Sequence, residues 1–275
     1  MTPDPLGAVR LLTPHGTVAP VRRVPHFPTV CGARPLPGRP PVRLNLRTDK
    51  DGWDEGADMG VAIRTAGDDD REVIVRLLDR AFQDDPVSGW VFPGEEYRRA
   101  THHRLMAAFT DIVLAEGRVD LTEDGSACAL WMSVPADDPG HGDRPAGERT
   151  DDDDFARMRR AVDPDNERVE LIGRLTAGIH PSGRAHEYLW MIGVVPGRQG
   201  EGLGTALIGS VLDRCDRQGR AAYLEASSER SRLLYERLGF EAAGDPLALP
   251  EGPHMWPMWR EPRTTPATSW TGPRV

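Results

Sequence analysis

Gly193-Val194-Val195-Pro196-Gly197-Arg198-Gln199-Gly200-Glu201-Gly202-Leu203-Gly204-Thr205 is the stretch on which the fold turns. Before it, Tyr188 to Val195 is a near-continuous apolar run, the pattern of a strand buried on both faces. After it, Leu207, Ile208, Val211, Leu212 and Cys215 recur at helical spacing, and Gly219 supplies a stop, so the spacing predicts a helix from Leu203 to Gln218. Glycines between a strand and a helix let the backbone approach a ligand and leave amide N–H groups pointing outward. The first helical turn adds orphan donors and the positive end of the dipole. Together these features make a cradle for a pyrophosphate.

Three kinds of site use such a cradle. A P-loop needs Lys directly after the last glycine, and Thr205 follows Gly204, which excludes it. A dinucleotide site needs Gly-x-Gly-x-x-Gly; counted from Gly200 the third position is Thr205, and from Gly202 it is Leu207. Glu225 nevertheless stands about twenty residues on, where a ribose-binding acid is expected, so a dinucleotide module stays open.

Outward from the loop, the pattern is that of an α/β domain with a mixed sheet. Val61 to Thr65 reads as a strand. Asp68, Asp69 and Asp70 precede a helix whose apolar face is Val73, Ile74, Leu77, Leu78 and Phe82, with Asp84-Asp85-Pro86 as its end. A second helix runs from Glu95 to Glu116, stopped by Gly117. Arg118 to Thr122 and Ala127 to Val134 form a hairpin. Residues 136–153 are acidic loop, with Asp151 to Asp154 read as a solvated helix start rather than a metal site. Two short helical stretches precede the Tyr188 strand. After the Leu203 helix come a strand from Ala221 to Glu225, a helix from Ser231 to Leu238, and strands near Phe240 and over His254 to Trp259, where Pro257 demands an edge or a bulge. The order β-α-α-β-β-α-α-β-α-β-α-β-β follows.

Residues 1–58 differ in character. Pro recurs from Pro3 to Pro41, and Asp4 is the only acid before Thr48, so this Pro/Arg-rich extension is expected to be disordered. Met59 opens the first clean strand pattern and is a candidate start. The domain is expected to span residues 59–262, with a flexible tail over 263–275. The 275 residues, 39% hydrophobic, suffice for one well-cored domain. A formal net charge of −9 argues against nucleic acid or an anionic membrane and suits a cationic small molecule. Cys31, Cys128 and Cys215 lack paired spacing, which supports neither a disulfide framework nor a metal site, and Cys215 reads as core filler. Without an apolar span or signal segment, the default location is the cytoplasm.

Gln199-x-x-Gly202-x-Gly204 after Val194-x-Pro196 resembles the acetyl-CoA loop of the GNAT superfamily of N-acetyltransferases. Tyr235-Glu236-Arg237-Leu238-Gly239-Phe240 is similar to that superfamily's second signature. Leu224-Glu225-Ala226-Ser227 and Pro250-Glu251-Gly252-Pro253 look like segments of puromycin N-acetyltransferase and its relatives, as do Ala81-Phe82 with Asp85-Pro86 and Asp124-Gly125 with Ala129-Leu130-Trp131. The resemblance departs at Ser231, where relatives commonly have Asn, and at Val195, where they often have Asp.

The resemblance implies a twisted, mostly antiparallel sheet flanked by helices. It also implies acetyl-CoA as co-substrate, bound by Val194, Val195, Gln199, Gly200, Glu201, Gly202, Leu203, Gly204, Thr205 and Ser231, with direct transfer to an amine. The Val194 N–H would hold the oxyanion and Tyr235 would protonate the leaving thiolate. Glu225 is the first candidate for the general base; Glu187, His186 and His180 are further candidates, and a water relay would need none of them. His102 and His103 read as a solvated helix face. The expected partner is a small-molecule amine, antibiotic-like or metabolic, acted on by a monomer or homodimer. An acyl-CoA sensor without turnover, and a transferase acting on protein amines, remain alternatives.

Overall fold

The computed structural model describes residues 61–136 and 151–263, apart from the side chains of 151–153. The Pro/Arg-rich extension, Met59, most of the acidic loop and the tail beyond Arg263 lie outside the described residues.

Among the described residues the strands are β1 (Ile63–Thr65), β2 (Arg118–Thr122), β3 (Ala127–Val134), β4 (His186–Val194), β5 (Ala221–Ala226), β6 (Glu241–Ala242), β7 (Leu247–Ala248) and β8 (His254–Arg260). They join in one sheet in the order β1-β2-β3-β4-β5-β8-β6, with β7 added on β8. Every pairing is antiparallel except β4 with β5. The fold is therefore the mixed, mostly antiparallel α/β sheet expected.

Period-two alternation sends the two faces of β3 into different cores. Cys128 and Leu130 join Ile74, Leu77 and Leu78 of α1 (Arg71–Phe82), and Leu105, Met106 and Val113 of α3 (Glu95–Glu116). Ala127, Ala129 and Trp131 face Leu207, Ile208 and Val211 of α6 (Leu203–Gln218). Each fully buried aliphatic side chain contributes about 1.5–3 kcal/mol. Cys215 is fully buried in the second core, as core filler should be.

α1 starts where the three aspartates predict. Asp70 is held by both guanidinium nitrogens of Arg64 at 2.6 and 2.7 Å and by the Gly67 N–H, which lowers its carboxyl to about 2. Gly117 ends α3 for a steric reason as well: a Cβ there would lie 2.4 Å from the Trp131 carbonyl, so only glycine lets this end sit against β3.

α2 (Pro86–Val91) is a correction. α1 does stop ahead of Asp84-Asp85-Pro86, at Phe82, but Asp85 also caps a new helix, its Oδ1 accepting the Val87 and Ser88 N–H groups at 2.9 and 3.2 Å, with Pro86 in the first turn. β7 was likewise not anticipated. α4 (Asp151–Val162), α5 (Glu167–Ile179) and α7 (Glu229–Arg237) complete the set, and α4 does begin at the acidic run.

Candidate active site

The central feature is a parting of two strands. β4 and β5 pair only through His186, Glu187 and Tyr188 with Ala221, Ala222 and Tyr223. Beyond that point β4 stays on β3 as far as Val194, while β5 stays on β8. The Val195 N–H donates to the Ser126 carbonyl of the β3 side at 2.9 Å. Successive N–H groups on a strand point to opposite sides, so the Val194 N–H, and Ile192 by the same alternation, face the gap toward β5.

The glycine loop closes one end of this gap. Gly197, Gly200 and Gly202 have φ of 90°, 91° and 81°, a region that L side chains rarely adopt. Gly202 caps α6 and its carbonyl accepts from Ala206, which leaves the N–H groups of Leu203, Gly204 and Thr205 as orphan donors of the first turn. Arg198 braces the loop, reaching Glu201 and Asp124 at 2.7 Å each. Ser126, Thr122 and Arg198 together hold the Asp124 carboxyl well below the usual range.

Not every anticipated cofactor contact is free. Val195 spends its N–H on the Ser126 carbonyl, and its own carbonyl accepts from the Arg198 N–H. The Glu201 carboxylate is taken by Arg198, which leaves only its backbone to offer. The Leu203 side chain is buried in the second core. Ser231 lines the cavity, but its hydroxyl donates to the Ser228 carbonyl in the cap of α7. Gln199, Gly200, Gly202 and Thr205 are exposed along the rim.

Loop and gap open into one cavity of about 1090 Å³. Its inner wall is apolar: Met106 and Phe109 from α3, Met158 from α4, Ile172 from α5 and Trp190 from β4. Phe109 and Trp190 have ring centroids 4.7 Å apart. Tyr235 lies at the junction between this wall and the loop. Among the described residues its hydroxyl makes no hydrogen bond, and burial together with the charge of Asp85 pushes the phenol above its ordinary value. Asp85 also lines the cavity; its Oδ2 accepts from the Ser227 hydroxyl at 2.5 Å, and burial raises its carboxyl. The segment Pro250 to Pro253 supports this wall from behind: the Trp90 indole donates to the Pro250 carbonyl at 2.8 Å and covers Gly252 so closely that no Cβ would fit.

Glu225 also lines the cavity, with its side chain 4% exposed and Oε2 accepting from the Tyr188 hydroxyl at 2.7 Å. Glu187, the second base candidate, is not part of that lining. Ser133 and Arg220 occupy its carboxylate, at 2.9 and 3.1 Å, as a buried structural pair. His102 is a correction. It is fully buried, between Asp79 Oδ1 at 2.8 Å and Ser88 Oγ at 3.1 Å, and so staples α1, α2 and α3; His103 beside it is exposed as expected. The Asp79–His102–Ser88 order imitates an activated nucleophile, but the Ser88 N–H is spent on the Asp85 carboxylate, which sets a negative charge where an oxyanion would need donors.

His186 is buried at the start of β4, its Nδ1 2.8 Å from the Arg184 carbonyl. Burial, with the charges of His180, Arg220 and Arg184, lowers it to about 4. The unfolded chain binds this proton from about pH 6.5 downward while the fold refuses it until pH 4. Stability is thus complete above pH 6.5 and falls as pH drops through that window, by about 3 kcal/mol at most. Urea titrations should show the wild type losing about 3 kcal/mol more unfolding free energy between pH 7 and pH 4 than His186→Phe does; an equal loss in both would refute it.

His180, a lesser base candidate in the sequence, does line the cavity, whereas Asp85, Ser227 and the Ile192 N–H were assigned no role there from the sequence. Only Asp85-Pro86 carried a usable signal, as a helix start.

Comparisons with known proteins bear on this geometry. Residues 129–240 match the model of the Acetyltransferase (GNAT) family. L-2,4-diaminobutyric acid acetyltransferase of Marinococcus halophilus is 36% identical over 76 residues, which are 26% of this chain and 44% of that relative, so the chain spans less than half of its length. A solved structure of histone acetyltransferase HPA2 and related acetyltransferase from Corynebacterium glutamicum aligns with a TM-score of 0.55 at 25% identity, covering 76% of this chain and 99% of the other. Arylalkylamine N-acetyltransferase 2 from Aedes aegypti aligns with a TM-score of 0.53 at 15% identity, over 73% of this chain and 98% of the other, a likeness of fold. Among the described residues no helix is long and apolar enough to cross a membrane.

Proposed function

We propose that this chain is a GNAT-family N-acetyltransferase that moves the acetyl group of acetyl-CoA directly to the primary amine of a small molecule. The observation that carries the proposal is the β4–β5 gap, edged by outward N–H groups and leading into a glycine-rich helix N-terminus. A pyrophosphate suits the loop Gln199 to Thr205, and a thioester arm suits the gap.

Roles follow from the chemistry. An alkylammonium of pKa about 10 has no lone pair at neutral pH and must lose a proton before it can attack. Glu225 accepts that proton in this reading. The Val194 N–H stabilises the oxyanion, and Tyr235 protonates the thiolate. The apolar wall around Phe109 and Trp190 takes the body of the amine. The catalytic unit is residues 59–262, working in the cytoplasm. Support for an amine acceptor comes from the likeness to L-2,4-diaminobutyric acid acetyltransferase; support for an antibiotic-like one comes from the likeness of Leu224 to Ser227 and Pro250 to Pro253 to the puromycin transferases.

The test has two readings on the full chain. Acetyl-CoA at a hundred times its dissociation constant should stabilise the fold by about 2.7 kcal/mol, a shift of several degrees. A panel of small amines should then raise thioester consumption above hydrolysis. A thermal shift without any amine turnover would favour a silent acyl-CoA sensor, and a shift with NAD(H) alone would favour the dinucleotide reading.

A further inference from the structure

Beneath the β4–β5 gap, His180, His186, Tyr188, Tyr223 and Glu225 meet in one cluster, and its hydrogen bonds have a fixed direction. The Arg184 carbonyl can only accept, so His186 Nδ1, 2.8 Å away, carries a proton. Buried His186 is neutral, so its Nε2 is bare and must accept. The atom 3.1 Å from that Nε2 is His180 Nε2, which therefore donates. The obligatory proton of His180 is thus on Nε2, and its Nδ1 is bare in the neutral ring.

That Nδ1 lies 3.9 Å from Glu225 Oε1. Oε1 is buried and without a hydrogen bond, since Tyr188 takes Oε2. Two lone pairs therefore oppose each other between side chains that are 8% and 4% exposed, and both residues line the cavity. A single proton on Nδ1 turns this costly pair of unsatisfied acceptors into a charge-assisted contact. The other groups facing His180 are rings without charge: Tyr188 and Tyr223 at 4.7 and 4.8 Å, edge-on, and His186 at 5.1 Å. The Tyr223 hydroxyl is directed at Glu225 but makes no hydrogen bond by distance and angle, so it does not satisfy Oε1.

We infer that His180 Nδ1 takes the proton of the substrate ammonium, with Glu225 as its counter-charge and His186 as the positioning residue that fixes its tautomer. The inference rests on the acetyl-transfer reading and replaces a lone Glu225 base by a pair. The balance is simple. An ammonium N–H breaks and its proton moves to His180 Nδ1. The freed lone pair forms a C–N bond with the thioester carbonyl carbon, and the C–S bond breaks. Tyr235 gives its phenol proton to sulfur and regains one from the amide nitrogen. His180 then releases its proton to solvent. The substrate class that needs this pair is an alkylamine; an amine already neutral at the assay pH does not.

The experiment compares wild type, His180→Gln and Glu225→Gln with an alkylamine and with a low-pKa aminooxy compound, as kcat/KM against pH, with the acetyl-CoA thermal shift recorded for each. The wild type should lose activity toward acid through one ionisation. His180→Gln should lose about 100-fold or more with the alkylamine and only about threefold with the aminooxy compound, at an unchanged thermal shift. Glu225→Gln should move the acid limb to lower pH, because the charge that favours the imidazolium is gone. Equal losses of His180→Gln with both nucleophiles, or an unmoved limb in Glu225→Gln, would overturn the pair while leaving acetyl transfer standing. A wild type that shows no thermal shift and acetylates neither nucleophile overturns the acetyl-transfer reading, and this inference with it.

Discussion

Tyr235→Phe should lower turnover about 100-fold or more while acetyl-CoA affinity stays within about twofold. The substitution removes one oxygen and keeps the ring, which is buried and meets Phe240 edge-on with centroids 6.0 Å apart. No hydrogen bond to another described residue is lost, because the hydroxyl makes none. The fold therefore has little to lose. The phenol's burial keeps it protonated across the working pH range, which suits an acid that must hold its proton until a thiolate forms beside it. Single-turnover acetyl transfer, with titration of acetyl-CoA by calorimetry, separates the two quantities. A full rate in the variant would remove Tyr235 from the mechanism. A wild type without any rate, but with tight acetyl-CoA binding, would move the chain to the sensor class.

Gly202→Asp should weaken acetyl-CoA binding about 100-fold or more, so that the thermal shift disappears at concentrations that stabilise the wild type by about 2.7 kcal/mol. Two effects compete at this position. An Asp ahead of a helix is ordinarily a good cap and interacts well with the dipole, which favours the fold. Against it, φ of 81° costs an L residue about 1–2 kcal/mol, so net stability changes little. Binding has no such compensation, since a carboxylate now sits where a diphosphate must. A variant that folds and still shifts like the wild type would place the pyrophosphate elsewhere.

The elements that sequence periodicity delimits best are those with a single dominant pattern. The bounds of α3, α6, β2 and β3 coincide with the runs from Glu95 to Glu116, Leu203 to Gln218, Arg118 to Thr122 and Ala127 to Val134. β4 begins two residues before its apolar run because His186 and Glu187 are polar but buried, each with partners from elsewhere in the chain. α2 was missed because Asp-Pro both stops one helix and starts another, and only the path of the following residues tells which. His102 looked solvated because a polar residue on a helix is ordinarily exposed; its partners, Asp79 and Ser88, come from two other helices. The same limit applies to the cavity. The glycine loop is contiguous and legible, whereas Asp85, His180, Glu225 and Tyr235 are distant in sequence and meet only through the sheet and its helices.

The three-rung pairing of β4 with β5 has a mechanical consequence. The sheet is two leaves, β1 to β4 and β5 to β8, whose ladders join only through Tyr188, Glu187, His186 and their partners, while α6 packs across both. Splaying of the leaves beyond those three rungs breaks no ladder hydrogen bond, so the open part of the seam is held by side-chain packing alone. A long, narrow molecule laid into the seam would act as the missing stitches. Along that seam part of the rigidity would come from the bound molecule, and a second substrate would meet the stiffer cavity after the first had filled it.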